Sequence, residues 1–199
     1  MKPLMLILSF LPLIAFSVLA RLLSHGDVGA AALTAAVIAA IAMVAVRPVW
    51  PPKILNTCSF VLFTVLAIAG FTGSGGTDRW LAGWGAAGVG LIMGLVILAL
   101  IPVMPFTEQF ARQSTPQAYW ASPTFKQINR VLSLGWGAAL AAVGLSRLAA
   151  VAVAEHTTSR LPDLLLGLAI PAVITIYMLK FSKSYPDRVA HAQDAPSHA

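Results

Sequence analysis

Six long apolar runs, at residues 4–23, 28–46, 54–72, 80–103, 131–153 and 164–181, alternate with short polar connections. Each run is close to the roughly 17–25 residues that a helix needs to cross a hydrocarbon core. None of the first five carries a charge near its middle. The pattern predicts an all-α integral membrane protein: six transmembrane helices forming a single domain over residues 1–183, then a flexible tail at 184–199. The connections suit a compact bundle. Residues 24–27 are expected to form a tight turn, residues 47–53 hold Pro48, Pro51 and Pro52, which lack donors and stop helices, and residues 73–79 are expected to form a Gly-rich, flexible loop. The first run, with Lys2 before it and Val18-Leu19-Ala20 near its end, also satisfies a secretory signal peptide. Its length and the regular alternation of six spans favour retention.

The stretch 105–130 breaks the pattern. It is too polar to span, yet Phe106, Phe110, Tyr119, Trp120, Phe125 and Ile128 are interleaved with Arg112, Lys126 and Arg130. Phe106 and Phe110 share one helical face, and Glu108 and Arg112 form an i,i+4 pair on another. This spacing predicts an amphipathic segment lying in the interface between the fourth and fifth spans. Thr115-Pro116 and Ser122-Pro123 each read as an N-cap followed by proline at the first helical position; the second helix so begun should run unbroken into the fifth span. Phe106, Phe110, Arg112, Tyr119, Trp120, Phe125, Lys126 and Arg130 are therefore the candidate contacts for a lipid or a partner, the alternative being a passive connector.

Charge adds an orientation. With six spans, Lys2, Arg47, Lys53, Arg112, Lys126, Arg130, Lys180, Lys183 and Arg188 fall on one side and Arg21, Arg79, Arg147 and Arg160 on the other. Counting acids, the first side is net +6 and the second is zero. The positive-inside rule then places both termini in the cytoplasm of an inner membrane. Trp50, Trp80, Trp84 and Trp120 lie near run ends, where indoles prefer the interface.

Composition excludes a soluble domain: 58% of residues are hydrophobic, 10% are charged and the mean hydropathy is +0.83. The pI near 10.0 does not point to nucleic acid, because the basic residues are scattered over short loops. Anionic headgroups are the expected counter-ions. Cys58, the single cysteine, excludes an intramolecular disulfide. Small residues recur at helical spacing, in Gly90/Gly94, Gly83/Ala87, Ala31/Ala35/Ala39 and Ala32/Ala36/Ala40, where they allow close packing within the bundle or along a homo-oligomer seam. Pro171 is the expected kink.

No catalytic, metal or cofactor set emerges. The acids and histidines avoid the middle of the runs, whereas a proton-coupled transporter keeps such groups there. His25 and His156 lack a spaced third ligand, and no Ser–His–acid spacing stands out. Asn56, Thr57, Cys58 and Ser59 cluster at one span end and, with Thr64 and Thr175, could line a pathway. Hydroxyls bonded back to the preceding helical turn are the simpler reading. Arg147 is the most provocative charge: it could snorkel or pair with Glu155 or Asp163.

Met1-Lys2 with Phe10-Leu11-Pro12-Leu13, the segment Pro116-Gln117-Ala118-Tyr119-Trp120 before a span, and Trp136 within it resemble the bacterial intracellular septation protein A family. The chain departs from that family in a longer Trp120–Trp136 interval and in Arg147, which stands where Asn is expected. Pro105-Phe106-Thr107-x-x-Phe110-Ala111-Arg112 and Trp120-x-Ser122-Pro123-x-Phe125 resemble uncharacterised bacterial membrane proteins given the same name. The resemblance implies an inner-membrane protein of envelope maintenance or division that acts through lipids or a membrane protein partner, and it supplies no catalytic residues. A small-solute or lipid transporter is the alternative expectation, and a membrane-embedded enzyme the third.

Overall fold

A computed structural model describes residues 3–23, 27–45 and 54–194. Lys2, His25, Arg47, Trp50, Lys53, His198 and the three prolines of 47–53 therefore lie outside the described residues. Within them every regular element is helical. Seven helices follow in order. They are α1 (Pro3–Leu22), α2 (Val28–Ala45), α3 (Ile54–Thr72), α4 (Gly75–Leu100), the short α5 (Phe106–Ala111), α6 (Pro123–Ala154), and α7, which starts at Leu161–Leu164 and continues through Ile170–Asp194. Four of them, α3, α4, α6 and α7, are long and apolar enough to cross a membrane; α1 and α2 carry the shorter apolar stretches Ser9–Ala20 and Val28–Val44.

Several boundaries differ from those expected. Residues 73–79 are not a flexible loop: Ser74 precedes a helix that begins at Gly75, and Arg79 Nε bonds to the Gly75 carbonyl within it at 3.3 Å. The expected tail is helical as far as Asp194, with Pro186 inside the helix. The Ser122 cap behaves as expected, its Oγ accepting the Phe125 N–H at 3.2 Å with Pro123 at the first helical position. The helix it starts is 32 residues long, about 48 Å at 1.5 Å per residue, so its first turns stand clear of a hydrocarbon core roughly 30 Å thick. Thr115-Pro116 starts only one 3₁₀ turn, Gln117–Tyr119.

Helices α4 and α7 each contain a π turn, at Leu81–Gly85 and Leu165–Ala169. The irregularity expected at Pro171 thus lies in the turn before it. A π turn adds a residue to the helical repeat and leaves backbone groups to be satisfied from elsewhere; here Ser146 Oγ on α6 donates to the Leu166 carbonyl at 2.7 Å.

Small residues set the packing. A Cβ added to Gly144 would lie 2.1 Å from the Leu91 nitrogen, and one added to Gly94 would lie 2.4 Å from the Ala141 nitrogen. Helices α4 and α6 therefore touch backbone to backbone, and the Gly90/Gly94 step is filled from within the chain. On the other side of the bundle Gly29 of α2 meets Gly70 of α3, with Ala31, Ala32, Ala35, Ala36 and Ala39 buried beneath. Without a solvent-driven hydrophobic effect between helices, close van der Waals contact of this kind is what holds a bundle together in lipid.

Pairs of contacts also give helix directions. Phe10 stacks on Trp136 at 4.8 Å and Ser17 meets Arg147, so α1 and α6 run parallel. Trp136 bonds to Ser182 and Ser146 to Leu166, so α7 runs against α6. Consequently the described starts of α1 and α6 and the far end of α7 share one end of the bundle, together with Arg112, Lys126, Arg130, Lys180, Lys183 and Arg188. Arg79, Arg147 and Arg160 belong to the opposite half.

Candidate functional site

The segment that sequence reasoning singled out is built around α5, which is too short to be stable alone. It is fixed by its neighbours. Thr107, fully buried, donates from Oγ1 to the Asn129 carbonyl at 2.8 Å and from its backbone N–H to Ser133 Oγ at 3.2 Å, and the two hydroxyls lie 2.9 Å apart. Gln109 Oε1 accepts the N–H of Ile54 at 3.0 Å and so satisfies one of the orphan donors at the start of α3. Phe106 meets Phe10 edge to face at 6.3 Å and Phe110 in the same manner at 6.2 Å.

Phe106 and Phe110 are each only 2% exposed. Phe106 and Phe110 were expected among the contacts for a lipid or a partner; instead this face of α5 is turned into the bundle, where Phe106 meets Phe10 of α1. Those two residues are anchors rather than contacts.

The remaining candidates form the outer surface. Glu108 accepts a salt bridge from Arg112 at 2.5 Å, and the Arg112 guanidinium sits 4.9 Å over the Trp120 ring, whose indole N–H donates to the Thr115 carbonyl at 2.9 Å. Glu108, Arg112 and Trp120 thereby make one clamp that folds the 3₁₀ turn back on α5. Beyond it Tyr119 is 61% exposed, Lys126 and Arg130 are exposed on the first turns of α6, and Phe125 is half-buried. The structure thus joins Arg112 and Trp120 directly and leaves Tyr119, Lys126 and Arg130 exposed on the neighbouring 3₁₀ turn and first turns of α6, while Phe106 and Phe110 are buried.

The polar cluster at the start of α3 divides. Asn56 and Ser59 are buried, and their side-chain polar atoms have no hydrogen-bond partner among the described residues. Thr175, in contrast, is exposed and bonds to the Pro171 carbonyl of its own helix at 2.8 Å, so it lines no shared path with them.

A second constellation went unrecognised in the sequence. At the other end of the bundle a cleft of about 140 Å³ lies between the π turns of α4 and α7, lined by Ala82, Gly83, Ala86, Ala87 and Ala150 and by two charged residues, Arg147 and Asp163. Arg147 donates to Ser17 Oγ on α1 at 3.1 Å. Glu155 does not hold the guanidinium; it accepts the Trp84 indole N–H at 2.9 Å and ties α6 to α4 beside the cleft. The residues were visible in the sequence as separate small steps and charges, but their convergence depends on two π turns, which no periodicity announces. Comparison with protein-family models, curated proteins and solved structures finds no match to this chain.

Proposed function

We propose that this chain is a bacterial inner-membrane protein with six spans and both termini in the cytoplasm, and that it serves envelope maintenance or division by contact with anionic headgroups and a membrane protein partner. The observation that supports this reading is the set of exposed basic and aromatic residues at the α5–α6 junction. Arg112 is held by Glu108 and Trp120, while Lys126 and Arg130 project from the turns of α6 that overreach the hydrocarbon core. A surface carrying this charge is drawn to an anionic leaflet by about 1 kcal/mol per basic residue near the headgroups, and aromatic rings settle at the same depth. Prepaying the order of the segment through Thr107, Phe106 and Phe110 favours a specific contact over a loose one.

The test is photocrosslinking in native membranes from a reactive residue at Tyr119, read by mass spectrometry. Adducts to a defined protein or enrichment of anionic lipid, both reduced when Lys126 and Arg130 are changed to Gln, are expected. Adducts that mirror bulk lipid and ignore those substitutions would remove the reading. A transporter of a small solute or lipid is the second reading, favoured by the charged cleft at the opposite end; flux above that of empty liposomes would bring it forward.

A further inference from the structure

We infer that the outward-facing groove between α6 and α7, at the basic end of the bundle, seats one anionic glycerophospholipid, its phosphate on Arg130 and Arg188 and an acyl chain beside an aromatic ladder on α7. The inference deepens the reading above and rests on it, since that reading sets this end in an anionic leaflet. Lys126, Arg130, Leu134, Ala138 and Ala142 recur every fourth residue of α6, and each is exposed, so they make one stripe down the helix. The charges lie at its top, and α6 carries no other until Arg147. On α7 Tyr177, Phe181 and Tyr185 stack in series, at 6.3 and 5.1 Å. A Cβ added to Gly135 would lie 3.8 Å from Phe181 Cε1, whereas Ser182 accepts the Trp136 indole N–H at 2.8 Å. Round α6 from Trp136 through Gly135, the 3.6-residue repeat brings Ala138 and then Leu134. The ladder therefore borders the exposed stripe and not the side of α6 that meets α1.

The Trp136–Ser182 bond also sets the level of the charges. Because the two helices are antiparallel, six residues back along α6 and six on along α7 bring Arg130 and Arg188 to the same height. Both are exposed, and neither has an ion pair, hydrogen bond or ring contact among the described residues. Glu108 is taken by Arg112, and Asp187 lies about 100° round α7 from Arg188. Two open guanidiniums at one height offer planar forks that match phosphate oxygens. Their like charge favours a headgroup with net negative charge, since a zwitterion would bring its ammonium up beside them. The apolar part of the groove selects a lipid over a free phosphate. Leu134 and Tyr177 are 51% and 65% exposed, and Ala138 and Ala142 between them let a chain lie close to α6.

The test is native mass spectrometry of the full-length protein released from nanodiscs of equal phosphatidylglycerol and phosphatidylethanolamine. The wild type is expected to retain phosphatidylglycerol in preference, and Arg130→Gln and Arg188→Gln each to lower that retention roughly tenfold, as loss of one charged hydrogen bond implies. Ala138→Phe keeps every charge and changes a side chain on the exposed face; by filling the groove it should expel the lipid to a similar extent. Arg188 and Ala138 lie outside the α5–α6 surface, so the two readings fail separately. Preference that falls in Lys126→Gln but is unchanged in Arg188→Gln and Ala138→Phe overturns the groove and leaves the earlier reading standing. Adducts at Tyr119 that mirror bulk lipid remove the earlier reading, whatever the groove variants retain. Equal retention of the two lipids by the wild type overturns the proposal, as does a dimer that Ala138→Phe dissociates with lipid preference unchanged, which would give the groove to a second copy of the chain.

Discussion

At the scale of single residues, Thr107 makes the hydrogen bonds that join α5 to α6. Its hydroxyl and N–H bind Asn129 and Ser133 on α6 inside a fully buried contact. Thr107→Val keeps the shape and removes the hydroxyl, so the loss is close to that of one buried hydrogen bond, about 1–2 kcal/mol; a lowered thermal midpoint in detergent is the expected reading, and an unchanged midpoint would show that the hydroxyl contributes nothing beyond the backbone bond to Ser133, the Gln109 bond and the rings. Asn56 tests the opposite case. It is buried with no partner for its amide among the described residues, and an unpaired polar group in an apolar setting costs about 1–3 kcal/mol in mutational terms. Asn56→Leu, similar in size, is therefore expected to raise the midpoint; a fall would reveal a partner that the amide depends on. The residue chemistry of the candidate surface was legible in the sequence because Arg, Lys and aromatic side chains announce themselves. Which way Phe106 and Phe110 point was not, since a two-residue apolar face on one short helix fits lipid and protein equally well until Phe10 is seen against Phe106.

At the scale of helices, length and hydropathy alone located all the long elements, because a lipid-crossing helix must satisfy its own backbone and be apolar over a fixed length. The ends escaped the pattern. Helix α4 begins among glycines, and α7 continues into a polar sequence that reads as a tail. In both places the chain continues a helix already nucleated, and propagation is easier than nucleation. The α4–α6 pair makes the sharpest prediction at this scale. Its glycines bring backbones into contact, and the Gly144 Cβ position is 2.1 Å from the Leu91 backbone nitrogen, an atom that no rotamer change can move aside. Gly144→Ala must part the helices and is expected to cost at least about 1–3 kcal/mol. Gly88, with open space around its Cβ position, is the control: Gly88→Ala should be neutral or slightly stabilising, since alanine is the better helix former by about 1 kcal/mol. Thermal unfolding followed by circular dichroism separates the two, and equal behaviour would sink the account of the seam.

At the scale of the whole molecule, charge and geometry arrive at one axis by separate routes. Basic residues alternate between connections in the sequence, and the parallel pairing of α1 with α6 and the antiparallel pairing of α6 with α7 put the described basic residues of alternate connections at the same end. A bundle polarised in this way has a preferred insertion, because Lys and Arg in short loops resist translocation. In the proposed orientation the basic surface faces the anionic cytoplasmic leaflet and the cleft at the other end faces the opposite side. Exposed Ser114, between α5 and α6, and exposed Ser159, between α6 and α7, lie at opposite ends of the 32-residue helix α6 and report this directly. In a Cys58→Ala background, Ser159→Cys is expected to react with an impermeant maleimide applied to intact spheroplasts, and Ser114→Cys only after the membrane is opened. The inverse result would turn the molecule over and exchange the leaflets assigned to the two sites. Reaction of both without permeabilisation would mean that α6 does not cross, and an axis built on its length and on the charges at its two ends would fall with it.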